Sequence, residues 1–249
     1  PKRMPKIPGA SVAASYQVFD EAGGDYYDFF PLGCHQHADP QSTWDECWDG
    51  PWGVLVADAA GHGPAAAVLM AMLHAILHAY PEVPENAAAV LDHANEHLCA
   101  KGIQSSFVTA MFAIYEPSTH SLRYARAGHP PAILKDPGTN NPVRRLDEVG
   151  GVPLGVLPDA RFEEATVQLE PGQSVVIYTD GITEAMSPAG AMFGVEGIEH
   201  ALVRCSGEPE CVQDSIGAAL LQHEAGVRPS DDQTLVVLKV LDDQGESAE

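Results

Sequence analysis

Four aspartates in this sequence share a setting suited to holding divalent cations. Asp25 follows Gly23-Gly24, Asp58 precedes Ala-Ala-Gly-His-Gly, Asp180 precedes Gly181, and Asp231 precedes Asp232-Gln-Thr. Each stands where an apolar, strand-like run meets a tight turn. Turns at strand ends can bring short carboxylates onto a common rim, and hard cations such as Mg2+ and Mn2+ take oxygen ligands of this kind. Asp beside Gly is also ordinary turn chemistry, so any one of the four alone says little. Their recurrence at four separate apolar runs points to one shared site.

Periodicity and punctuation outline the elements that must position these acids. Ser11 to Phe30 reads as two strands broken at Glu21-Ala-Gly-Gly, with Asp25 opening the second. Gly33 to Gly50 has no periodicity and reads as a long loop, and Trp52–Asp58 as a buried strand. Pro64 to Leu73 forms a buried helix, too short to cross a bilayer. In the next helix Ala87, Val90, Leu91, Ala94 and Leu98 fall on one face, and Lys101-Gly102 stops it. Short strands follow over Phe107–Tyr115, Leu122–Ala127, Ala132–Leu134, Phe162–Leu169 and Gln173–Asp180. Helices over Val195–Arg204 and Glu210–Glu224 precede a closing strand, Thr234–Val240. Without regular βαβ alternation, this order predicts an α+β fold of antiparallel sheets with helices on their outer faces. No repeat or linker divides it, so a single domain over residues 1–249, with a core of about 7–240, is expected.

The chain has 249 residues, 13 Lys+Arg against 35 Asp+Glu, and a formal charge of −22, with 45% hydrophobic residues. Such apolar content supports a buried core. The acidic excess argues against nucleic-acid partners and against binding to anionic membranes. The 5 cysteines are scattered and odd in number, which suits a reducing, cytoplasmic setting. The opening Pro-Lys-Arg-Met-Pro lacks any leader pattern and reads as the start of a C-terminal piece of a longer regulator.

Gly23-Gly-Asp-Tyr-Tyr-Asp-Phe29, Asp58-Ala-Ala-Gly-His-Gly63, Ala127-Gly-His-Pro-Pro131, Val152-Pro-Leu-Gly155, Tyr178-Thr-Asp-Gly-Ile-Thr-Glu-Ala185 and Asp231-Asp-Gln-Thr234 occur in one order. In this the chain resembles the SpoIIE-type, RsbU-like branch of the PPM metal-dependent protein serine/threonine phosphatases, from about Ile7 to Val240. The resemblance implies a four-layer α-β-β-α sandwich with two Mn2+ or Mg2+ ions at one edge of the sheets. It implies that Asp25 binds one metal, that Asp58 bridges both, that the Ala59 backbone carbonyl completes the first site, and that Asp180 and Asp231 bind the second. It makes Asp28 a group that holds metal-bound water, and Asp232 the lesser ligand candidate of its pair. Two metals roughly 3.5–4 Å apart can activate a water for in-line attack on phosphorus, without a covalent intermediate. The sequence agrees, because no cysteine is followed six residues later by Arg; those positions are Pro40, Gly53, Ser105, Cys211 and Gly217.

The resemblance further implies a phosphorylated protein substrate, a STAS-type anti-sigma-factor antagonist in partner-switching signalling, and control by an upstream sensor region. Whether the chain forms a homodimer is open. More distant type 2C relatives hold substrate phosphate with an Arg near the first strand, and no Arg lies between Arg3 and Arg123 here. His62 as general acid is weighed below a turn or packing role.

Other patterns compete. A phosphatase-fold interaction module with weak metals would regulate by contact. His93-Ala-Asn-Glu-His97, with Glu163 or Glu164 downstream, matches a zinc metalloprotease pattern, but the flank of an amphipathic helix explains it, as it explains His74 and His78. Cys34, His35, His37 and Cys47 lack a paired zinc framework. Gly61-x-Gly63-x-x-Ala66 fits a dinucleotide fingerprint only formally. Gly23-Gly-Asp is shared with diguanylate cyclases, whose pattern has no place for the later aspartates.

Overall fold

The computed structural model describes residues 3–19, 22–33, 48–80, 83–101, 106–140 and 142–241. Two five-stranded antiparallel sheets face one another. The first has the order β1 (Ala10–Gln17), β10 (Gln233–Val240), β9 (Ser174–Tyr178), β6 (Ala132–Lys135), β7 (Val143–Leu146). The second runs β2 (Asp25–Pro31), β3 (Trp52–Ala59), β4 (Val108–Glu116), β5 (Ser121–Ala127), β8 (Ala165–Gln168).

Alternate residues of each strand face opposite ways, so each sheet contributes to two cores. Val54, Val56, Met111 and Tyr115 of the second sheet meet Val175, Ile177, Val236 and Leu238 of the first between the sheets. Leu55, Ala57 and Phe112 turn outward onto α1 (Pro64–His78) and α2 (Ala87–Ala100). Ile133, Val176, Leu235 and Val237 turn outward onto α4 (Gly194–Val203) and α5 (Pro209–Glu224). Burial on both faces explains the apolar runs 52–57 of β3, 175–178 of β9 and 235–238 of β10. This is the four-layer α-β-β-α sandwich that the family resemblance implies.

The elements differ from expectation in four places. β1 and β2, expected as two strands broken by a turn, do not pair with each other; they lie in different sheets. β7 was not expected, because Val143-Arg-Arg-Leu146 carries little apolar signal. Asp180 does not end a strand: it begins a one-turn helix, α3 (Asp180–Thr183). The strand expected from Phe162 starts only at Ala165, since the Phe162 N–H donates to Asp92 Oδ1 at 3.0 Å and not to a sheet neighbour. The loop cluster Cys34, His35, His37 and Cys47 lies outside the described residues.

Candidate metal centre

Asp25 and Asp58 are direct cross-strand partners in β2 and β3. Both face the interior between the sheets, at the end of the sandwich, and only 6% and 8% of their surface is exposed. From the opposite sheet, Thr179 and Thr234 each donate a hydroxyl hydrogen bond to Asp25 Oδ2, at 2.7 and 2.6 Å. Thr179 Oγ1 in turn accepts from the Thr234 N–H at 3.0 Å. One Asp25 oxygen is thereby fixed by two donors across the sheet interface.

Close backbone packing brings the second pair of acids to the same place. A Cβ on Gly181 would lie 1.9 Å from the Asp232 carbonyl oxygen and 3.4 Å from Asp231 Cβ, so only glycine lets the start of α3 seat against the turn before β10. Asp180 and Asp231 are half-buried there. On the other side, a Cβ on Gly24 would lie 3.0 Å from the Gly61 carbonyl and 3.4 Å from the Ala59 carbonyl, which places the Ala59 oxygen beside Asp25. The Ala59 N–H donates to the Gly24 carbonyl at 3.0 Å. Gly61 and Gly63, with φ of 88° and 81°, then turn the chain into α1.

The Asp231-Asp-Gln-Thr234 stretch divides its labour residue by residue. Asp231 keeps its carboxylate at the rim, apart from accepting the Asp232 N–H at 2.9 Å. The buried Asp232 carboxylate accepts the Phe19 and Gly24 N–H groups, at 2.7 and 2.5 Å, and so clamps the β1–β2 crossover onto the other sheet. Gln233 donates to the Gly181 carbonyl at 3.4 Å and to Glu224 at 2.9 Å, and Thr234 orients Asp25.

The electrostatics are those of carboxylates held together against their mutual repulsion. Burial, with Asp232 and Asp231 nearby, pushes Asp25 above the usual carboxylate range despite the two threonine donors. Burial, then the charges of Asp25, Asp180 and Asp231 and a hydrogen bond with Asp25, pushes Asp58 up further. Burial, then Glu184 and Asp231, raises Asp180. Without a cation the cluster must retain protons; a bound dication would discharge it. An all-oxygen set of carboxylates and one carbonyl is what Mg2+ or Mn2+ prefers; Asp25, Asp58, Ala59, Asp180 and Asp231 offer those donors at one rim, although among the described residues no three of its side-chain ligand atoms lie within 4.8 Å of one another.

Asp28 is not brought to this rim. Three residues beyond Asp25 on a strand of period two, it faces outward towards α1. Its Oδ2 accepts from Tyr26 Oη at 2.5 Å and pairs with His78 Nε2 at 3.0 Å, and its Oδ1 accepts the Phe29 N–H at 2.8 Å. The expectation that it holds metal-bound water is therefore corrected. His74 and His78, expected to be a solvated flank, lie against it.

The competing patterns fare less well. His93 and His97 stack at 4.1 Å, but among the described residues no third ligand joins them. Glu164 is engaged by the Ala87 N–H at the other end of α2. The Gly61-x-Gly63 turn leads through α1 into α2, and among the described residues the named strands pair antiparallel, unlike a dinucleotide fold. His62 is exposed and packs edge-on against Phe19, 5.7 Å between centroids.

Thr179 and Thr234 were missed as functional residues, although both stand within the stretches that carry the resemblance. Arg228 stands outside the stretches that carry the resemblance and far in sequence from the first strand, so no local signal marks it. It lies 5.2 Å over the Phe19 ring and donates to the Phe19 carbonyl at 3.2 Å, on the segment that Asp232 clamps to the rim. Arg126, by contrast, is fully engaged by the Val149 and His129 carbonyls. His129 is buried beside Thr109, the residue paired with Asp58; burial and then Arg126 push it down to about 3, so it is neutral.

A sequence model of the family described as Stage II sporulation protein E (SpoIIE) matches residues 49–241, a span that contains Asp58, Asp180 and Asp231 and starts after Asp25. "Phosphoserine phosphatase RsbU" of Bacillus subtilis is 26% identical over 240 residues, covering 95% of this chain and 65% of that protein. "Protein IcfG" of Synechocystis is 23% identical over 266 residues, covering 96% of this chain and 39% of that protein. The chain thus spans less than two thirds of either relative. Among solved structures, the phosphatase domain with a regulatory fragment of SpoIIE from Bacillus subtilis superimposes with a TM-score of 0.73 at 17% identity, over 94% of this chain and 64% of that one. The RsbU and RsbW domains of Rv1364c from Mycobacterium tuberculosis give 0.71 at 23% identity, over 95% and 61%.

Proposed function

Since this chain belongs to the SpoIIE family, we propose that it is a metal-dependent protein serine/threonine phosphatase whose rim of Asp25, Asp58, Asp180 and Asp231, with the Ala59 carbonyl, holds two Mn2+ or Mg2+ ions. The observation that carries this reading is the convergence of four carboxylates from both sheets, three of them held above their usual protonation range. When bound, two such ions supply an activated water for in-line attack on phosphorus and offset the charge of the phosphoryl oxygens.

The chain's own residues position that chemistry. Thr179 and Thr234 hold one oxygen of Asp25 and leave the other for a cation. Gly181 and Gly24 allow the approach of the two halves of the rim. Arg228, over Phe19 on the segment that Asp232 clamps, is the cation this reading assigns to the phosphate of an incoming phosphoserine or phosphothreonine.

The substrate in this reading is a phosphorylated STAS-type antagonist in partner-switching signalling, with control exerted by an upstream sensor region. The names of RsbU and of RsbP, "Phosphoserine phosphatase RsbP" of Bacillus subtilis, support phosphoserine as the substrate group.

Hydrolysis of p-nitrophenyl phosphate with Mn2+ tests the centre: Asp58→Asn and Asp180→Asn should each abolish it. Unchanged activity in both variants rejects the assigned rim and favours an interaction module. A purified phosphorylated antagonist that keeps its phosphate for hours beside enzyme active on the small substrate rejects the partner alone.

A further inference from the structure

Asp28, His74 and His78 form a second constellation, on the opposite face of β2 from the aspartate rim. His74 and His78 stand at i and i+4 on α1, so their rings share one helix face, with centroids 4.1 Å apart. Asp28 reaches them from β2. Its Oδ2 lies 3.0 Å from His78 Nε2 and 3.8 Å from His74 Nδ1, and the three atoms all lie within 4.8 Å of one another. A tetrahedral zinc site with bonds of about 2.0–2.1 Å has ligand–ligand edges of about 3.4 Å, between the two measured separations. Tyr26 Oη donates to the same Asp28 oxygen at 2.5 Å and lies 2.7 Å from His74 Nδ1, so it holds the two ligand atoms near one another and gives up both contacts when a cation binds. The histidine side chains are 51% and 45% exposed, which leaves an entry path and an open position for water, while Asp28 is 14% exposed and fixed by its Phe29 N–H bond.

We propose that Asp28, His74 and His78 bind one zinc-class cation, separate from the phosphatase centre. Two imidazoles and one carboxylate form a borderline donor set that favours Zn2+ over the Mg2+ or Mn2+ suited to the all-oxygen rim. The pair His93 and His97 is an internal comparison: it has the same spacing and the same 4.1 Å ring separation, but among the described residues no carboxylate comes close enough to complete a three-ligand group with it, and His97 Nδ1 contacts the His93 carbonyl instead. Occupancy ties α1 to β2, the strand that begins at Asp25. The cation therefore braces the turn from Asp58 into α1 from behind.

The test is titration of the full chain with Zn2+ by calorimetry, and with Co2+ by visible absorption, while Mg2+ in excess fills the rim. One equivalent should bind, and Co2+ should give the strong visible bands of a four-coordinate site. His74→Ala and His78→Ala should each weaken binding tenfold or more, and the Zn2+-dependent rise in Tm should vanish in both. His93→Ala should bind as wild type does. Any of three results overturns the proposal: no stoichiometric Zn2+ or four-coordinate Co2+ signal in the wild type, unchanged affinity in His74→Ala and His78→Ala, or loss of the site in His93→Ala. The wild-type spectrum decides the matter even if a variant fails to fold.

Discussion

Stripped of divalent cations, the protein should lose stability as pH rises, and Asp58 should carry much of that slope. Asp25 is raised above the ordinary Asp value by burial and by Asp232 and Asp231, and Asp58 by burial and by Asp25, Asp180 and Asp231. A raised carboxyl keeps its proton in the folded chain after the unfolded chain has released it. The folded state therefore holds more protons above about pH 4, and its stability falls as pH climbs towards the folded values. One proton retained by the pair costs about 1.4 kcal/mol per pH unit, or about 2.7 kcal/mol between pH 5 and 7. For a chain of this size that is a fall in Tm of about 5–10 °C. Asp58→Asn keeps the shape and removes the charge. Thermal melts in EDTA should show a steeper decline for the wild type, with the variant the more stable of the two by pH 8. Both share the repulsion of the remaining surface acids, so the difference between their slopes isolates the rim. Saturating Mn2+ or Mg2+ should stabilise the wild type more at pH 8 than at pH 5. Parallel slopes in EDTA for wild type and Asp58→Asn would refute the reasoning.

Three further outcomes follow from the packing of the rim. Thr179→Val and Thr234→Val each remove one donor to Asp25, and metal titration of activity should show half-saturation shifted upward about tenfold. Gly181→Ala drives a Cβ onto the Asp232 carbonyl and should lose Mn2+ binding in calorimetry, whereas Gly217→Ala, with open space around it in α5, should gain about 0.5–1 kcal/mol in denaturant unfolding. Arg228→Ala should raise KM for a phosphorylated protein about tenfold, the loss expected for one charged hydrogen bond, and leave kcat nearly unchanged; an unmoved KM removes Arg228 from the phosphate site.

The acids of the rim were legible because each carries its own local signal, a glycine or polar turn at the end of an apolar run. The helices on both outer faces were legible for the same reason: Val90, Leu91, Ala94 and Leu98 mark a face without outside help. What stayed hidden depends on the other sheet. Nothing local distinguishes Asp232, which ties two N–H groups, from Asp231, which keeps its carboxylate at the rim. Thr179 and Thr234 reveal their role only once Asp25 arrives across the interface. The separation of β1 and β2 into different sheets is likewise a tertiary outcome, fixed by Asp232 on Phe19 and Gly24. Asp28 was readable and misread: a spacing of three on a strand puts it opposite Asp25, and the i, i+4 histidines of α1 lie on that same outward side.

The hydrogen bonds from Thr179 and Thr234 to Asp25 are stitches between two sheets that are otherwise joined mainly by apolar contact. Apolar surfaces can slide with little directional penalty, whereas hydroxyl-to-carboxylate bonds lengthen at once. A small shear of one sheet past the other would leave the hydrophobic layer nearly intact while pulling Asp25 and Asp58 away from Asp180 and Asp231. The rim thus works as a strain gauge for the sandwich, and whatever presses on either sheet from outside has a direct mechanical route to the spacing of its four aspartates.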